Sequence, residues 1–105
     1  MEELSILVVD DEPGMRLGIK RALRGFTVDL PQIENRVSFK VDLAESGEEA
    51  MQKIEADPPH IILLDYKLPG ISGLDVLDNV TKRSDDTLTI MISAYASIET
   101  VIRAT

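Results

Sequence analysis

The sequence predicts an alternating α/β fold, in which a parallel sheet carries helices on both faces. Short apolar runs typical of buried strands recur along the chain, and segments of about ten residues with helical spacing separate them. Acidic or small polar residues follow several of these runs directly. A length of 105 residues fits one domain with its own core, so we expect these elements to form a single sheet.

The clearest strand is the run that ends at Asp65. Four bulky apolar residues, 61–64, lead directly into this carboxylate, and a Pro-Gly turn follows at 69–70. A short unbroken apolar run is typical of a strand buried on both faces of a parallel sheet. Asp65 is then expected at the carboxyl edge of the sheet, where open α/β folds bind ligands. Its position alone also fits an acid that ends a strand and faces water.

Another strand and the first helix are predicted near the amino end. Residues 4–9 are almost continuously apolar and lead into three acids at 10–12. Pro13 is favourable in the first turn of a helix, and Gly25 is a typical helix stop. The apolar residues that recur at helical spacing in this segment are Met15, Ile19, Ala22, Leu23 and Phe26.

The region between the first helix and the next strand predicts an insertion. Residues 26–30 and 39–43 both alternate apolar and polar side chains, and turn-forming residues lie between them at 31–37. We predict that 39–43 is the second parallel strand and that 26–30 is an added strand that pairs with it as a β-hairpin. Covering the sheet edge is the favoured role of this insertion, ahead of contact with a partner.

Two capping patterns mark further helix starts, Ser46 with Glu49 and Ser72 with Asp75. Prolines end the first of these helices before His60, which favours a loop role for this histidine over that of a ligand or base. The residues expected on the buried sides are Ala50, Met51 and Ile54 in the first helix and Leu74, Val76, Leu77 and Val80 in the second.

The carboxyl end of the chain predicts one more strand and an unfinished helix. Residues 88–92 form an apolar, β-branched run that ends at Ser93. A last helix is expected from Ser97, and its pattern continues to Thr105 without a stop signal. This ending indicates a chain that is shortened at its carboxyl end.

The composition excludes several classes of function. Acidic residues number 19 against 11 lysines and arginines, and a net charge of −8 disfavours direct binding of nucleic acid by this segment. The absence of cysteine excludes disulfides, thiolate metal sites and a cysteine nucleophile. No apolar run approaches membrane-spanning length and the amino end lacks a signal-peptide pattern, so we expect no membrane partner and a cytoplasmic location.

Polar residues that follow different strands are expected to meet at one edge of the sheet. Right-handed crossovers place the carboxyl ends of parallel strands together, and Asp10, Asp11 and Asp65 follow such ends. Grouped carboxylates repel one another unless a cation offsets their charge, and oxygen ligands select a hard divalent ion such as Mg²⁺. An aspartate beside that ion can attack phosphorus. Ser93 would then hydrogen-bond a phosphoryl oxygen, and the small Ala94 leaves room for phosphate to enter.

Three motifs follow one another on the predicted strands: ILVVDDE at 6–12, LLDYKLPGISG at 63–73 and MISAY at 91–95. Together they resemble the receiver domain of two-component response regulators. The resemblance covers nearly the whole chain apart from the 26–37 region. Around Asp65, Ser93 and 98–105 the sequence is most similar to receivers of the nitrogen-regulation type, which belong to sigma-54-dependent activators.

The resemblance implies a flavodoxin-like, doubly wound sheet with strand order 2-1-3-4-5. This chain provides the order 2-1-3-4 with a hairpin inserted before the second strand, and the fifth strand and helix are missing. Receivers also carry a lysine just after the fifth strand, which has no match here because Lys67 lies on a different loop. We therefore expect the chain alone to bind metal but to be phosphorylated or switched poorly.

Residue roles follow from the resemblance position by position. Asp65 matches the phosphoacceptor. Asp10 and Asp11 match the acidic pair that binds Mg²⁺ with Asp65, and the backbone carbonyl of Lys67 matches the remaining protein ligand. The matches to the positions that bind phosphate as a switch are Ser93 and Ala94, and those that tune phosphoryl hydrolysis are Lys67 and Tyr95.

The function implied is that of a signalling switch over residues 1–105 that catalyses only its own phosphorylation and dephosphorylation. It accepts a phosphoryl group from a sensor histidine kinase and regulates a downstream, transcriptional output domain outside this sequence. An interaction scaffold without phosphotransfer remains an alternative. A phosphatase of the haloacid-dehalogenase type is disfavoured, because such enzymes need an aspartate two residues after the nucleophile, where this chain has Lys67. The strand at 88–92 is expected to form an apolar edge through which two copies pair or swap elements.

Overall fold

The computed structural model describes residues 2–30, 35–83 and 86–92, and three predicted site residues (Ser93, Ala94 and Tyr95) and the helix expected from Ser97 lie outside them. The described part of the chain contains five strands and three helices. In chain order they are β1 (Glu2–Val9), α1 (Pro13–Leu23), β2 (Thr27–Leu30), β3 (Asn35–Ala44), α2 (Gly47–Ala56), β4 (Ile61–Asp65), α3 (Gly73–Thr81) and β5 (Leu88–Ile92).

The strands form one mixed sheet in the order β2-β3-β1-β4-β5. β3, β1, β4 and β5 are parallel, which confirms the predicted order of the four parallel strands. From β1 the chain passes through α1 to β3 on one side, and from β3 it passes through α2 to β4 on the other. Right-handed crossovers in opposite directions place α1 and α2 on opposite faces, so the sheet is doubly wound as predicted.

The core lies between the sheet and the α2–α3 layer. Alternation along the strands directs Leu7 and Val9 of β1 and Ile62 and Leu64 of β4 to this side, and all four are buried. The helical residues that complete the cluster are those predicted for the buried sides: Ala50, Ile54, Val76, Leu77 and Val80 are buried, while Met51 and Leu74 pack against them partly buried.

The opposite face of β4 and β5 is more open than the apolar runs predict. Ile61 and Leu63 are only half-buried, so the expectation that this strand is buried on both faces is wrong for one face. Their partners on β5, Leu88 and Ile90, are 58% and 44% exposed. The reason is the position of α1, which contacts β1 and β3 and has no buried residue of its own.

The insertion is a β-hairpin, as predicted, but its register differs from the prediction. β2 pairs antiparallel with the first four residues of β3, Asn35 to Ser38, and not with 39–43. β3 therefore begins inside the segment predicted as a loop, because Asn35 and Arg36 pair with β2 and the pairing with β1 starts at Val37. Phe26, just before β2, stacks on Phe39 with ring centroids 6.0 Å apart. The hairpin lies at the amino ends of the parallel strands.

Side-chain caps start α2 and α3 at the predicted residues. Ser46 Oγ accepts the Glu49 N–H at 3.1 Å. At α3, Ser72 Oγ accepts the Asp75 N–H at 3.2 Å and the Asp75 carboxylate accepts the Ser72 N–H at 3.3 Å, which completes the capping box. His60 is exposed before β4, and its Nδ1 accepts the Ser5 N–H at 2.9 Å, as suits a loop residue. None of the described helices is long and apolar enough to cross a membrane.

Two isoleucine-to-alanine changes test this distribution of packing. Ile62→Ala removes a side chain with no exposed surface, and we expect it to lower the free energy of unfolding by about 2–5 kcal/mol. Ile90→Ala makes the same chemical change on the open face and should lower it by about 1 kcal/mol or less. Urea unfolding of both variants checks the difference, and equal losses would contradict the one-sided core.

Candidate functional site

Three carboxylates converge at the carboxyl edge of the sheet. Asp10 and Asp11 directly follow β1, and Asp65 is the last residue of the neighbouring strand β4. One oxygen atom from each lies within 4.8 Å of the other two. Asp10 is buried, Asp65 is half-buried and Asp11 is exposed, so the cluster opens to solvent on one side. The structure thus brings together the three acids that the strand-end argument predicts.

Asp10 is held at each of its polar groups. Its N–H donates to the carbonyl of Ala44 at 3.1 Å, which continues the pairing of β1 with β3. Its Oδ1 accepts the Glu12 N–H at 2.9 Å. Its backbone carbonyl accepts a hydrogen bond from Arg16 Nη1 at 2.7 Å. These bonds satisfy a residue that is only 7% exposed and orient its carboxylate towards the cluster.

Asp65 is held by the loop that follows it. The Lys67 N–H donates to Asp65 Oδ1 at 3.1 Å, and the Gly73 N–H donates to the Tyr66 carbonyl at 3.3 Å. A Cβ at Gly73 would overlap the Asp65 carbonyl oxygen and the Tyr66 Cα, so α3 approaches this closely only because the residue is glycine. The start of α3 thereby fixes the backbone that carries the Asp65 carboxylate.

The turn after β4 is also tied to the start of α2. Glu48 Oε1 accepts the Ile71 N–H at 2.9 Å, and this hydrogen bond is the main reason that the pKa of Glu48 lies below its usual value. Gly70 has φ +74°, and a Cβ there would meet Glu48 Oε1. A Cβ at Gly47 would lie 2.6 Å from the Ile71 carbonyl oxygen. The two loops are therefore packed together without room for larger residues.

Burial and repulsion act together on Asp65. Partial burial raises the pKa of its carboxyl group above the usual value, and the neighbouring charges of Asp10, Asp11 and Glu12 add to this. The Lys67 N–H opposes the shift by stabilising the ionised form. A neighbouring cation would stabilise the ionised form of this carboxylate by offsetting the repulsion. Three oxygen donors at this spacing fit a hard divalent ion such as Mg²⁺, which binds through a few carboxylates and keeps several waters.

Residues 6–105 match the response regulator receiver domain family. The chain belongs to this family. Acid tolerance regulatory protein ActR of Rhizobium meliloti (strain 1021) is 34% identical over 100 residues, which are 95% of this chain and 46% of ActR. Transcriptional activator protein ExaE of Pseudomonas putida is 33% identical over 101 residues, or 96% of this chain and 43% of ExaE. The chain thus spans less than half the length of these curated relatives.

A solved structure shows the same fold. The CheY-like response regulator receiver domain protein of Methanospirillum hungatei JF-1 superimposes with a TM-score of 0.77 at 27% identity, and the match covers 98% of this chain and 74% of that chain. Receiver domains are signalling domains, which agrees with the class of function predicted from the motifs.

Two residues that hold the receiver site were not identified from the sequence. Arg16 donates to the Asp10 carbonyl, and Glu48 accepts from the Ile71 N–H. Both partners are backbone groups, which every residue has, so the sequence does not indicate these contacts. The available signal for Arg16 was an arginine in the first turn of a helix that follows three acids. For the predicted Lys67, the structure places the backbone N–H against Asp65, and the role of its carbonyl stays a prediction.

The raised pKa of Asp65 predicts how stability depends on pH. The folded receiver domain holds the Asp65 proton more tightly than the unfolded chain, so ionisation of this residue destabilises the fold as pH rises above the usual aspartate pKa of about 3.9. Asp65→Asn keeps an oxygen that can accept the Lys67 N–H and removes the charge. In metal-free buffer at pH 7 we expect this variant to be more stable than wild type by up to about 1 kcal/mol, since the site is partly open to solvent.

Urea unfolding between pH 3 and pH 7 in the presence of a chelator measures this difference. The stabilisation should disappear at the acid end, where Asp65 is protonated in both states. Asp86→Asn, which removes the charge of an exposed aspartate outside the cluster, is the matched control. A stabilisation that is constant across this pH range would contradict the origin assigned to it.

Proposed function

We propose that this receiver domain is a phosphorylation-dependent switch with Asp65 as its phosphoacceptor. The observation that supports this best is the convergence of Asp10, Asp11 and Asp65 at the carboxyl edge of the sheet. The half-buried carboxylate of Asp65 lies beside two acids that can share a cation with it. The domain changes its own state rather than that of a substrate, so we do not class it as an enzyme.

The donor proposed is a phosphohistidine of a sensor histidine kinase. An Asp65 oxygen attacks phosphorus, the bond between phosphorus and the histidine nitrogen breaks, and the nitrogen keeps the electron pair. The Lys67 N–H holds Oδ1 and so orients Oδ2 as the nucleophile. Asp10 and Asp11 would hold Mg²⁺ together with Asp65. When bound, Mg²⁺ neutralises charge on the phosphoryl oxygens.

The remaining site roles are proposals that rest on the motifs. The backbone carbonyl of Lys67 is proposed as a further Mg²⁺ ligand, and the Lys67 side chain is proposed to tune hydrolysis of the phosphoryl group. Ser93 and Ala94 are proposed to bind phosphate and to transmit the switch, and Tyr95 to tune hydrolysis. Support for these four residues comes from their place in the motifs after β4 and β5.

The output proposed is transcriptional and lies in a further domain. The relatives ActR and ExaE are more than twice as long as the matched segment, and ExaE is named a transcriptional activator. The narrower assignment to nitrogen-regulation-type, sigma-54-dependent activators stays a prediction, since neither relative's name refers to that class. We propose a cytoplasmic location, where a kinase and a transcriptional output would both be reached.

Intact-mass spectrometry tests the phosphoacceptor. With Mg²⁺ and acetyl phosphate, we expect a version of the chain that is extended by the fifth strand and helix of a receiver domain to gain one phosphoryl group. The chain alone should gain it more slowly, because it lacks the lysine that follows that strand. Asp65→Asn and a metal-free sample should gain none. Asp86→Asn, which alters an acid outside the cluster, should behave as wild type. A gain that persists in Asp65→Asn would contradict the assignment. So would the absence of a gain both in this chain and in a version extended by the fifth strand and helix of a receiver domain.

We also propose that two copies pair through the edge strand β5. It is the last strand of the described sheet, and Leu88 and Ile90 expose 58% and 44% of their surface. Ile90→Lys places a charge on this strand and should shift the sample towards monomer in sedimentation velocity at high concentration. Glu55→Lys, a change at an exposed residue of α2, should leave the distribution as in wild type. A wild-type chain that stays monomeric at every concentration would contradict the proposal.

A further inference from the structure

Arg16 links three segments that surround the acidic cluster. It lies in the first turns of α1, and its side chain is only 14% exposed. Its Nη1 donates to the Asp10 carbonyl at 2.7 Å, and its Nη2 lies 3.8 Å from the Glu45 carboxylate in the loop between β3 and α2. The guanidinium therefore spans the end of β1, the start of α1 and the end of β3.

The group that Arg16 bonds has a special position in the chain. The Asp10 carbonyl belongs to the peptide unit that joins Asp10 to Asp11, and this unit is planar. The Cα atoms of Asp10 and Asp11 lie at the two ends of this planar unit, and each carries one of the two carboxylate side chains. A hydrogen bond from a charged donor is stronger than a neutral one, so this contact restrains the plane and the directions of both side chains.

The opposite end of Asp10 is restrained as well. Its N–H donates to the Ala44 carbonyl at 3.1 Å, so the residue is bonded to β3 on its amino side and to α1 on its carboxyl side. Asp11, unlike the buried Asp10, is exposed. Its carboxylate depends on the preceding peptide for its direction, and Arg16 holds that peptide.

We propose that Arg16 is a positioning residue for the cation site, acting through the Asp10–Asp11 peptide. This inference rests on the proposed function, since it assumes that the acids bind Mg²⁺. Arg16 does not touch the cation or the phosphoryl group. It aligns two ligands that would otherwise sample several directions, and loss of such support around a metal typically lowers affinity about 10–100-fold.

Charge and positioning predict opposite results when Arg16 is removed. A positive group near the acids repels a divalent cation, so charge alone predicts that Arg16→Ala binds Mg²⁺ more tightly. Positioning predicts that the same variant binds more weakly. Arg16→Lys keeps the charge but loses the planar fork that reaches the Asp10 carbonyl and Glu45 together. The sign of the change therefore separates the two effects.

Titration of Mg²⁺ by calorimetry at fixed ionic strength measures the effect. We expect the Kd to rise about tenfold in Arg16→Ala and to rise also in Arg16→Lys. Arg21→Ala removes an arginine from an exposed position of the same helix and should stay within about twofold of wild type. An unchanged or lower Kd in both Arg16 variants would overturn the proposal, as would a loss of stability in urea with unchanged Mg²⁺ affinity.

Hydrogen exchange in metal-free protein separates this inference from the proposed function. Release of the peptide plane in Arg16→Lys or Arg16→Ala should speed exchange of the Glu12 amide, which donates to Asp10 Oδ1, relative to Arg21→Ala and wild type. Faster exchange supports the restraint even if wild type binds no Mg²⁺, a result that would overturn the cation site itself. Unchanged exchange in the Arg16 variants would overturn the restraint whatever the metal does.

Discussion

Parallel pairing of β1 with β4 brings like charges together at the end of both strands. The register aligns Val9 with Leu64, so Asp10 and Asp65 are the next residues on adjacent strands. Two carboxylates about 4 Å apart repel by about 1 kcal/mol in water and more where solvent is partly excluded. The fold is stable despite this repulsion because the strands that end in the acids also form the centre of the core.

The energies of these two effects differ in scale. Burial of a leucine, isoleucine or valine side chain contributes about 1.5–3 kcal/mol, and the cluster against α2 and α3 contains ten buried side chains. The acidic cluster opens to solvent at Asp11, which is exposed, and solvent there screens part of the repulsion. Core packing therefore dictates where the acids lie, and a raised pKa at Asp65 is the result.

Features carried by side-chain patterns could be predicted from the sequence. The strand containing Ile62, the caps at Ser46 and Ser72 and the meeting of three acids all follow from periodicity and from the handedness of crossovers. The start of β3 at Asn35 could not, because its first residues alternate weakly and owe their strand conformation to pairing with β2. Arg16 and Glu48 escaped prediction since their partners are backbone groups, and the exposure of Ile90 depends on where α1 lies.

The β2–β3 hairpin is remote from the chemistry of the fold. β2 pairs with residues 35–38 of β3, whereas Ala44, which bonds Asp10, lies six residues beyond Ser38. At the rise of a strand, Ser38 and Ala44 are about 20 Å apart. The chain contains no cysteine, so a single cysteine introduced on β2 would carry a fluorophore or spin label at one defined place. Such a probe would follow assembly of the protein without entering the acidic site, and its signal could be compared directly between the charged and the neutral forms of the cluster.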